Sequence, residues 1–318
     1  MKIAIILFNL GGPDSLEAVQ PFLRNLFSDP AIISLPAWLR LPLARFIASR
    51  RTPKALGIYE KIGGGSPIVG QTEAQARALE EALGREHEWR GYVCMRYWHP
   101  MTERVVASVR RFAPDRIVLL PLYPQYSTTT TASSFNAWKK AATFKVPTVE
   151  IESYHTEPGF IRASIELVKQ GLADAGDGSV RVLFSAHGLP EKVIRKGDPY
   201  QRQIEETASA IAEHLDGADW SVCYQSRVGP LKWIGPSTES EIRRAAADKK
   251  NIVLYPLSFV SEHSETLVEL DIDYRHLAEQ AGVAKYVRVP AVGTHPQFIH
   301  GLANLVRAAL WSDQSAAA

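Results

Sequence analysis

Short runs of apolar, β-branched residues alternate along this chain with longer amphipathic stretches, and that alternation leaves few folds open. The runs are Lys2–Leu10, Tyr92–Trp98, Arg116–Leu122 and Val149–Tyr154, then Val180–Ser185, Trp220–Gln225, Asn251–Leu257 and Tyr286–Val292. Between them Gln71–Arg90, Thr102–Phe112, Gly159–Gly171 and Pro199–Leu215 show helical periodicity. Strands that are apolar throughout belong to parallel sheets covered by helices on both faces.

The two sets of four runs follow one plan. Ile117-Val118-Leu119-Leu120-Pro121-Leu122 resembles Ile252-Val253-Leu254-Tyr255-Pro256-Leu257, and each precedes a Ser-rich segment that opens a helix. Ile5–Leu10 ends at Gly11-Gly12-Pro13 as Val182–Ser185 ends near His187-Gly188-Leu189-Pro190. The expected fold is therefore α/β, with two similar Rossmann-like domains of four parallel strands each. The first spans 1–150. The second spans 151–318, with its last helix a candidate to pack back on the first. Ligands of such sheets bind at the carboxyl ends of the strands, so an active cleft between the domains is expected.

Composition narrows the function. At 46% apolar residues the chain is globular, and a net charge of +2 argues against a nucleic-acid partner. Cys94 and Cys223 both lie inside apolar runs and form no CxxC pattern, so buried thiols are expected rather than a zinc or Cys-ligated cluster. Few cysteines and no recognisable secretory signal predict a cytoplasmic protein. No run of about 18 apolar residues exists to span a membrane. Residues 31–51 stand apart: Ile32, Ile33, Leu35, Trp38, Leu39, Leu41, Leu43, Phe46 and Ile47 are mixed with Arg40, Arg45, Arg50 and Arg51. Such a segment either packs on its own domain or forms an exposed lip that covers a flat ligand or touches a membrane surface.

Two constellations carry candidate chemistry. His187 falls at the end of an apolar strand, and an imidazole there suits both proton acceptance and a borderline metal such as Fe²⁺. A lone histidine in a turn is more often structural; its position at the strand edge argues otherwise. The second constellation follows the run Ile252–Leu257. Glu265, Glu269 and Asp273 recur every four residues and share one face of a helix with about 3.6 residues per turn. An acidic stripe is usually a solvated face, but this one starts at the strand edge and lacks interleaved Lys. It can conduct a cation inward or protons outward. Other segments are weaker. Gly63-Gly64-Gly65-Ser66-Pro67 lacks the Lys-Ser/Thr of a P-loop, Asp14 is placed to cap a helix, His99 and His155 show no evident partner, and Gln125-Tyr126-Ser127 forms a polar loop.

These segments, in order, resemble the ferrochelatase family. The resemblance is carried by Phe8–Asp14, Arg50–Lys54, Tyr59–Ile68, Arg96–Pro100, Pro124–Ser127, Ser185–Pro190, Tyr224–Pro230 with Trp233, and Ser261–Tyr274. It implies an enzyme that inserts Fe²⁺ into protoporphyrin IX to form protohaem, with two protons released and no resident cofactor. It marks His187 and Glu265 as the catalytic and metal-side pair, with Glu269 and Asp273 as the acidic relay. Leu10, Arg51, Lys54, Tyr59, Ser66, Arg96, Tyr97 and Trp233 match positions near the porphyrin. Some members carry an Fe–S cluster on a C-terminal extension whose cysteines this sequence lacks, so no cluster is expected. Members acting on coproporphyrin often have Tyr where Asp14 stands, which favours protoporphyrin. The alternatives are a chelatase for coproporphyrin or another tetrapyrrole, loading Co²⁺ or Ni²⁺, and a non-catalytic porphyrin or haem carrier. The lip 31–51 makes peripheral contact with the inner face of the membrane a further expectation. The sequence carries no oligomerisation signature.

Overall fold

The computed structural model describes residues 1–227 and 231–316, with side chains as far as Trp311. Val228, Gly229 and Pro230 of the Tyr224–Pro230 segment, and Ala317 and Ala318 of the tail expected to fray, lie outside the described residues. The chain forms two compact units. One comprises Met1–Tyr123, Ser127–Glu152 and the residues from Leu302 on; the other comprises Pro124–Tyr126 and Ser153–Gly301.

The first unit runs β1 (Lys2–Asn9), α1 (Val19–Phe27), α2 (Ala37–Glu60), α3 (Ile68–Leu83), β2 (Glu88–Met95), α4 (Thr102–Phe112), β3 (Arg116–Pro121), α5 (Thr131–Ala141) and β4 (Thr148–Glu150). Its four strands are parallel in the order β2-β1-β3-β4. β1 is central and buried from Ile3 to Asn9, as its unbroken apolar run requires. Alternate residues Ala4, Ile6 and Phe8 enter a core with Val105, Val109, Phe112, Phe135 and Trp138. There Phe8 meets Phe135 and Trp138 edge-on at 5.7 and 6.2 Å. A second cluster joins Val19, Phe22, Ala48, Tyr59 and Tyr97, with Leu10 packed against it.

Two local features of this unit differ from expectation. The helix expected to reach Arg90 stops at Leu83, because Gly84 turns the chain at φ +76° and the strand already starts at Glu88. Arg307 finishes that helix by donating to the Ala82 and Leu83 carbonyls at 3.0 and 3.3 Å. Asp14 does not cap α1, which begins after Ala18; its carboxylate instead accepts from the Trp98 indole at 3.0 Å.

α2 is a 24-residue helix that buries only Ala44, Ala48 and Tyr59. Trp38 and Phe46 keep 74% and 60% of their surface, and Ile32, Leu35, Leu39, Leu41 and Leu43 are exposed with them. The segment leading into α2 is held by a buried carboxylate. Asp29 accepts from the Tyr97 hydroxyl at 2.7 Å, the Ser133 hydroxyl at 2.6 Å and the Ala31 amide at 2.9 Å, and pairs with the Arg96 guanidinium at 2.8 Å. Burial opposes its charge, but these donors and Arg96 outweigh it, and its pKa lies below the usual carboxylate value.

The second unit runs α6 (Pro158–Ala175), β5 (Val180–His187), α7 (Glu191–Arg195), α8 (Tyr200–Ala212), β6 (Asp219–Gln225), α9 (Thr238–Ala247) and β7 (Asn251–Pro256). A π-helix (Glu265–Asp273), α10 (Tyr274–Gln280), β8 (Tyr286–Arg288) and the start of α11 (Pro296–Ala316) complete it. Its strands are again parallel, in the equivalent order β6-β5-β7-β8. The architecture is thus the two-sheet α/β plan read from the sequence. Leu183, Cys223, Ile252, Leu254, Leu270 and Tyr274 form the core of this unit. Cys94 and Cys223 are both buried, unpaired with each other, and burial pushes each thiol up to about 12. Among the described residues no helix is long and apolar enough to cross a membrane.

The acidic segment is where the local structure departs most from its sequence pattern. It is wound as a π-helix over nine residues rather than as an α-helix. π turns usually occur singly and at functional sites. Here the Tyr286 hydroxyl donates to the Leu270 carbonyl at 2.5 Å, giving a main-chain acceptor inside the π-helix a partner from β8.

Candidate active site

β6, β5 and β7 are neighbours in the second sheet, so their carboxyl ends open side by side. His187 is the last residue of β5 and lies opposite Gln225, the last of β6. The turn that follows needs Gly188. A Cβ there would lie 2.8 Å from the Gln225 carbonyl, to which the Gly188 amide donates at 2.9 Å. The histidine backbone is pinned from both sides: its amide donates to the Ser258 hydroxyl at 3.2 Å, and its carbonyl accepts from Tyr200 at 3.0 Å.

Glu265 opens the π-helix after β7 and brings Oε2 to 2.9 Å from Nδ1 of His187. With Nδ1 engaged, Nε2 is the nitrogen left to meet a ligand or accept a proton. The His187 side chain retains 39% of its surface and Glu265 23%, so both are reachable.

Ser226 joins this pair to the next carboxylate. Its hydroxyl contacts Glu265 at 2.9 Å and makes a short contact with Glu269, while its amide donates to Glu269 Oε1 at 2.8 Å. The Tyr274 hydroxyl donates to the same Glu269 oxygen at 3.0 Å. Ser226 adopts φ +58°, a left-handed conformation that costs a non-glycine residue energy and is found where function demands it. In the sequence Ser226 belongs to the matching Tyr224–Pro230 segment and directly follows Gln225, the residue that ends β6. Asp273 ends the π-helix and is exposed.

The electrostatics follow from burial and spacing. Burial opposes charge on Glu265, but the charge and hydrogen bond of His187, the nearby His263 and the Ser226 hydroxyl outweigh it and hold its pKa well below the usual value. Burial also opposes charge on His187, and there Glu265 wins, with help from Glu269, so the imidazole pKa is raised. Burial and then the Glu265 charge push Glu269 up. Glu265 is thus held ionised more firmly than a free carboxyl, while His187 and Glu269 each bind a proton more tightly than the free group would. The pair's contribution to stability has two edges. The His187 part is fully present below about 6.5, the ordinary imidazole value, and is lost as pH rises through the raised folded value. The Glu265 part is present above about 4.3 and is lost as pH falls through the depressed one. Replacing Glu265 with Gln is expected to lower the His187 titration midpoint, followed through its ring proton by NMR. An unmoved midpoint would mean that Glu265 does not set it.

The other residues marked near the porphyrin fall into two groups. Leu10, Tyr59 and Tyr97 share the second cluster of the first unit, where Tyr97 is buried and committed to Asp29. Arg51 stacks over Phe27 at 5.7 Å, Lys54 is exposed one turn further along α2, and the Arg96 guanidinium turns to Asp29 and Ser133. The Ser66 amide donates to the Pro13 carbonyl at 2.7 Å. That close approach requires glycine at Gly12 and Gly65, whose Cβ atoms would fall 2.6 Å from Ser66 and 2.7 Å from Asp14. Trp233 lies in the second unit, bridged to Pro190 and packed beside Gly188. Among the described residues its buried indole N–H has no acceptor. His155, expected to lack a partner, contacts Glu206 at 2.8 Å. Among the described residues no group of three or more His, Cys, Asp or Glu side chains is arranged to hold a metal ion.

Comparison with known proteins bears on the whole chain. Among solved structures, SirB from Bacillus subtilis with Fe³⁺ has a TM-score of 0.54 at 14% identity, covering 96% of this chain and 95% of that one. CbiX, described as the terminal enzyme of sirohaem biosynthesis in denitrifying bacteria, has a TM-score of 0.52 at 17% identity, covering 97% and 99%. At such identities the likeness concerns the fold alone. Sequence relatives are much nearer. A ferrochelatase of Caulobacter vibrioides is 56% identical over 313 residues, covering 96% of this chain and 90% of the relative. One from Phenylobacterium zucineum is 51% identical over 323 residues, covering 100% and 94%. The sequence model of the Ferrochelatase family matches residues 2–310. With more than half of its residues shared across nearly the full length of such a relative, the chain belongs to the ferrochelatase family.

Proposed function

We propose that this enzyme inserts Fe²⁺ into protoporphyrin IX, with His187 and Glu265 dividing the work at the insertion site. The observation that carries the reading is the 2.9 Å contact between His187 Nδ1 and Glu265 Oε2 at the open ends of β5 and β7. Insertion requires two pyrrolic protons to leave, water to be stripped from the cation, and a flat ring to be held bent so that its lone pairs face the metal. His187, through Nε2, accepts a pyrrole proton or meets the incoming iron; Glu265 takes the complementary role. Each acts in its deprotonated form, which Glu265 already holds, so a proton carried by His187 must pass onward before the imidazole can act. Glu269, Ser226 and Asp273 extend from Glu265 as the route for that proton or for the cation. Arg51 and Lys54 supply cations for the ring's propionates, and Leu10, Tyr59, Ser66, Arg96, Tyr97 and Trp233 shape its surroundings. Iron is here a substrate, and no resident cofactor or Fe–S cluster is needed for this chemistry.

The test is anaerobic absorbance spectroscopy of purified protein with excess protoporphyrin IX and Fe²⁺, with Zn²⁺ as an air-stable surrogate. Many turnovers per protein support the reading. A spectral shift limited to one equivalent would make the protein a carrier, and faster turnover of coproporphyrin would reassign the substrate.

The apolar face around α2 supports a cytoplasmic enzyme that touches the inner membrane surface. Trp38, Phe46 and their neighbours are exposed beside Arg40, Arg45 and Arg50, the composition of an interfacial helix. Sedimentation with vesicles of phosphatidylglycerol and phosphatidylethanolamine is expected to carry the wild type down and to leave Trp38→Ser/Phe46→Ser in solution. Equal recovery of both would remove the membrane from the account.

A further inference from the structure

A nine-residue π-helix needs a restraint from outside itself, because its wide turns pack poorly and α-winding of the same residues competes. The restraint comes from β8. Arg288, the last residue of that strand, reaches Glu262 Oε1 at 2.5 Å and Asp271 Oδ2 at 3.4 Å. One guanidinium therefore ties a carboxylate three residues before Glu265 to one inside the π-helix. Glu262 Oε1 also accepts from the Ala291 amide at 3.0 Å, so the clamp is anchored to the main chain beyond β8. Asp271 is held from its other oxygen by Arg275 at 2.6 Å, and Arg275 donates in turn to the Tyr286 carbonyl at 2.9 Å. Arg288 and Glu262 are both largely buried, so the contact is shielded from solvent.

We propose that Arg288 is a positioning residue for metal insertion: by gripping Glu262 and Asp271 together it holds the intervening segment in π register. It thereby sets the spacing at which Glu265 and Glu269 both meet Ser226. The geometry makes register matter. Four residues overshoot a full α turn of about 3.6 residues but fall short of a π turn, which bonds i to i+5. A relaxation to α-winding would rotate Glu269 relative to Glu265 and carry it off the Ser226 hydroxyl and amide. Lysine could substitute only in part, since a point charge reaches one carboxylate where the planar fork reaches two. The consequence for turnover rests on the reading of Glu265 and Glu269 given above; the consequence for the helix does not.

The experiment pairs Zn²⁺ insertion kinetics with hydrogen exchange in Arg288→Met, Arg288→Lys and a control, Arg181→Met. Arg181 clamps Asp219 and Asp248 at the amino-terminal end of the same sheet, at 2.7 and 2.9 Å. Sites are counted by porphyrin fluorescence quenching, so that loss of folded protein does not pass for loss of rate. In Arg288→Met, kcat per site is expected to fall about tenfold or more, the range seen when a ligand-orienting partner is removed, with the porphyrin KM unchanged. Arg288→Lys recovers part of the rate, and Arg181→Met keeps it. Amides of residues 265–273 exchange faster in Arg288→Met but not in Arg181→Met. Should Arg288→Met fail to fold, Asp271→Asn loosens the same clamp from its more exposed side and carries the same expectations. Unchanged kcat per site, or unchanged protection of 265–273, overturns the proposal. Were the wild type itself not to turn over, the exchange data would still decide the role of Arg288 on their own.

Discussion

His187→Ala is expected to lose Zn²⁺ and Fe²⁺ insertion by about 10²- to 10⁴-fold, the contribution typical of a positioned acid–base side chain, while protoporphyrin still binds. The loss has two sources. Removing the imidazole takes away Nε2, the nitrogen that the Glu265 contact at Nδ1 leaves available. It also strips Glu265 of the positive partner that holds its pKa down, so that carboxylate becomes harder to ionise in its buried setting. No neighbour replaces it. His263 is the nearby imidazole, but it is buried, its pKa is pushed down by that burial, and its Nδ1 lies 3.2 Å from the Ser261 carbonyl. Porphyrin quenching should keep its wild-type midpoint, because the residues assigned to the ring lie mostly elsewhere. Retention of wild-type turnover in His187→Ala would end the mechanism.

Asp29→Ala is expected to be the most damaging substitution for stability outside the apolar cores, at about 3–5 kcal/mol, the cost of removing one partner from a buried ion pair. The variant leaves the Arg96 guanidinium without its carboxylate and the Tyr97 and Ser133 hydroxyls without their acceptor. Urea unfolding followed by tryptophan fluorescence measures it. Asp29→Asn keeps the shape and one acceptor, so it should fall between. The pH dependence separates charge from shape. Asp29's folded pKa is depressed, so its contribution is present above about 3.9, the ordinary aspartate value, and is lost as pH falls through the lower folded value. The Asn variant should lack that segment of the acid unfolding profile. A loss below 1 kcal/mol in Asp29→Ala would show that water replaces the carboxylate freely.

Asp29 also marks the limit of what the sequence discloses. It stands alone before Pro30 with no pattern around it, and its partners come from positions 67, 68 and 104 residues away. No local period encodes such a contact. The inner strands were legible because each is a nearly unbroken apolar run: β1, β3, β5 and β7 are buried almost end to end. His187 was legible because a polar residue closing such a run must emerge at the sheet's edge. The π-helix was hidden by its own repeat. Carboxylates every four residues align almost as well on a π-helix as on an α-helix, so periodicity identified the acidic face without the winding that displays it. Gly84 shows the opposite case, a single residue that ends α3 and that a smooth hydrophobic pattern runs past.

The π-helix has a consequence for length as well as for substitution. A helix bonded i to i+5 carries, relative to its α-bonded form, residues that the hydrogen bonding does not require. Deleting one residue between Glu265 and Asp273 would let the segment close into tighter turns and repair its own backbone, while moving Glu269 away from Ser226. On the proposed mechanism, the shorter chain keeps its fold and loses the Glu265–Ser226–Glu269 connection. Under the roles proposed for these carboxylates, the length of the segment 265–273 is set by the site rather than by the demands of folding.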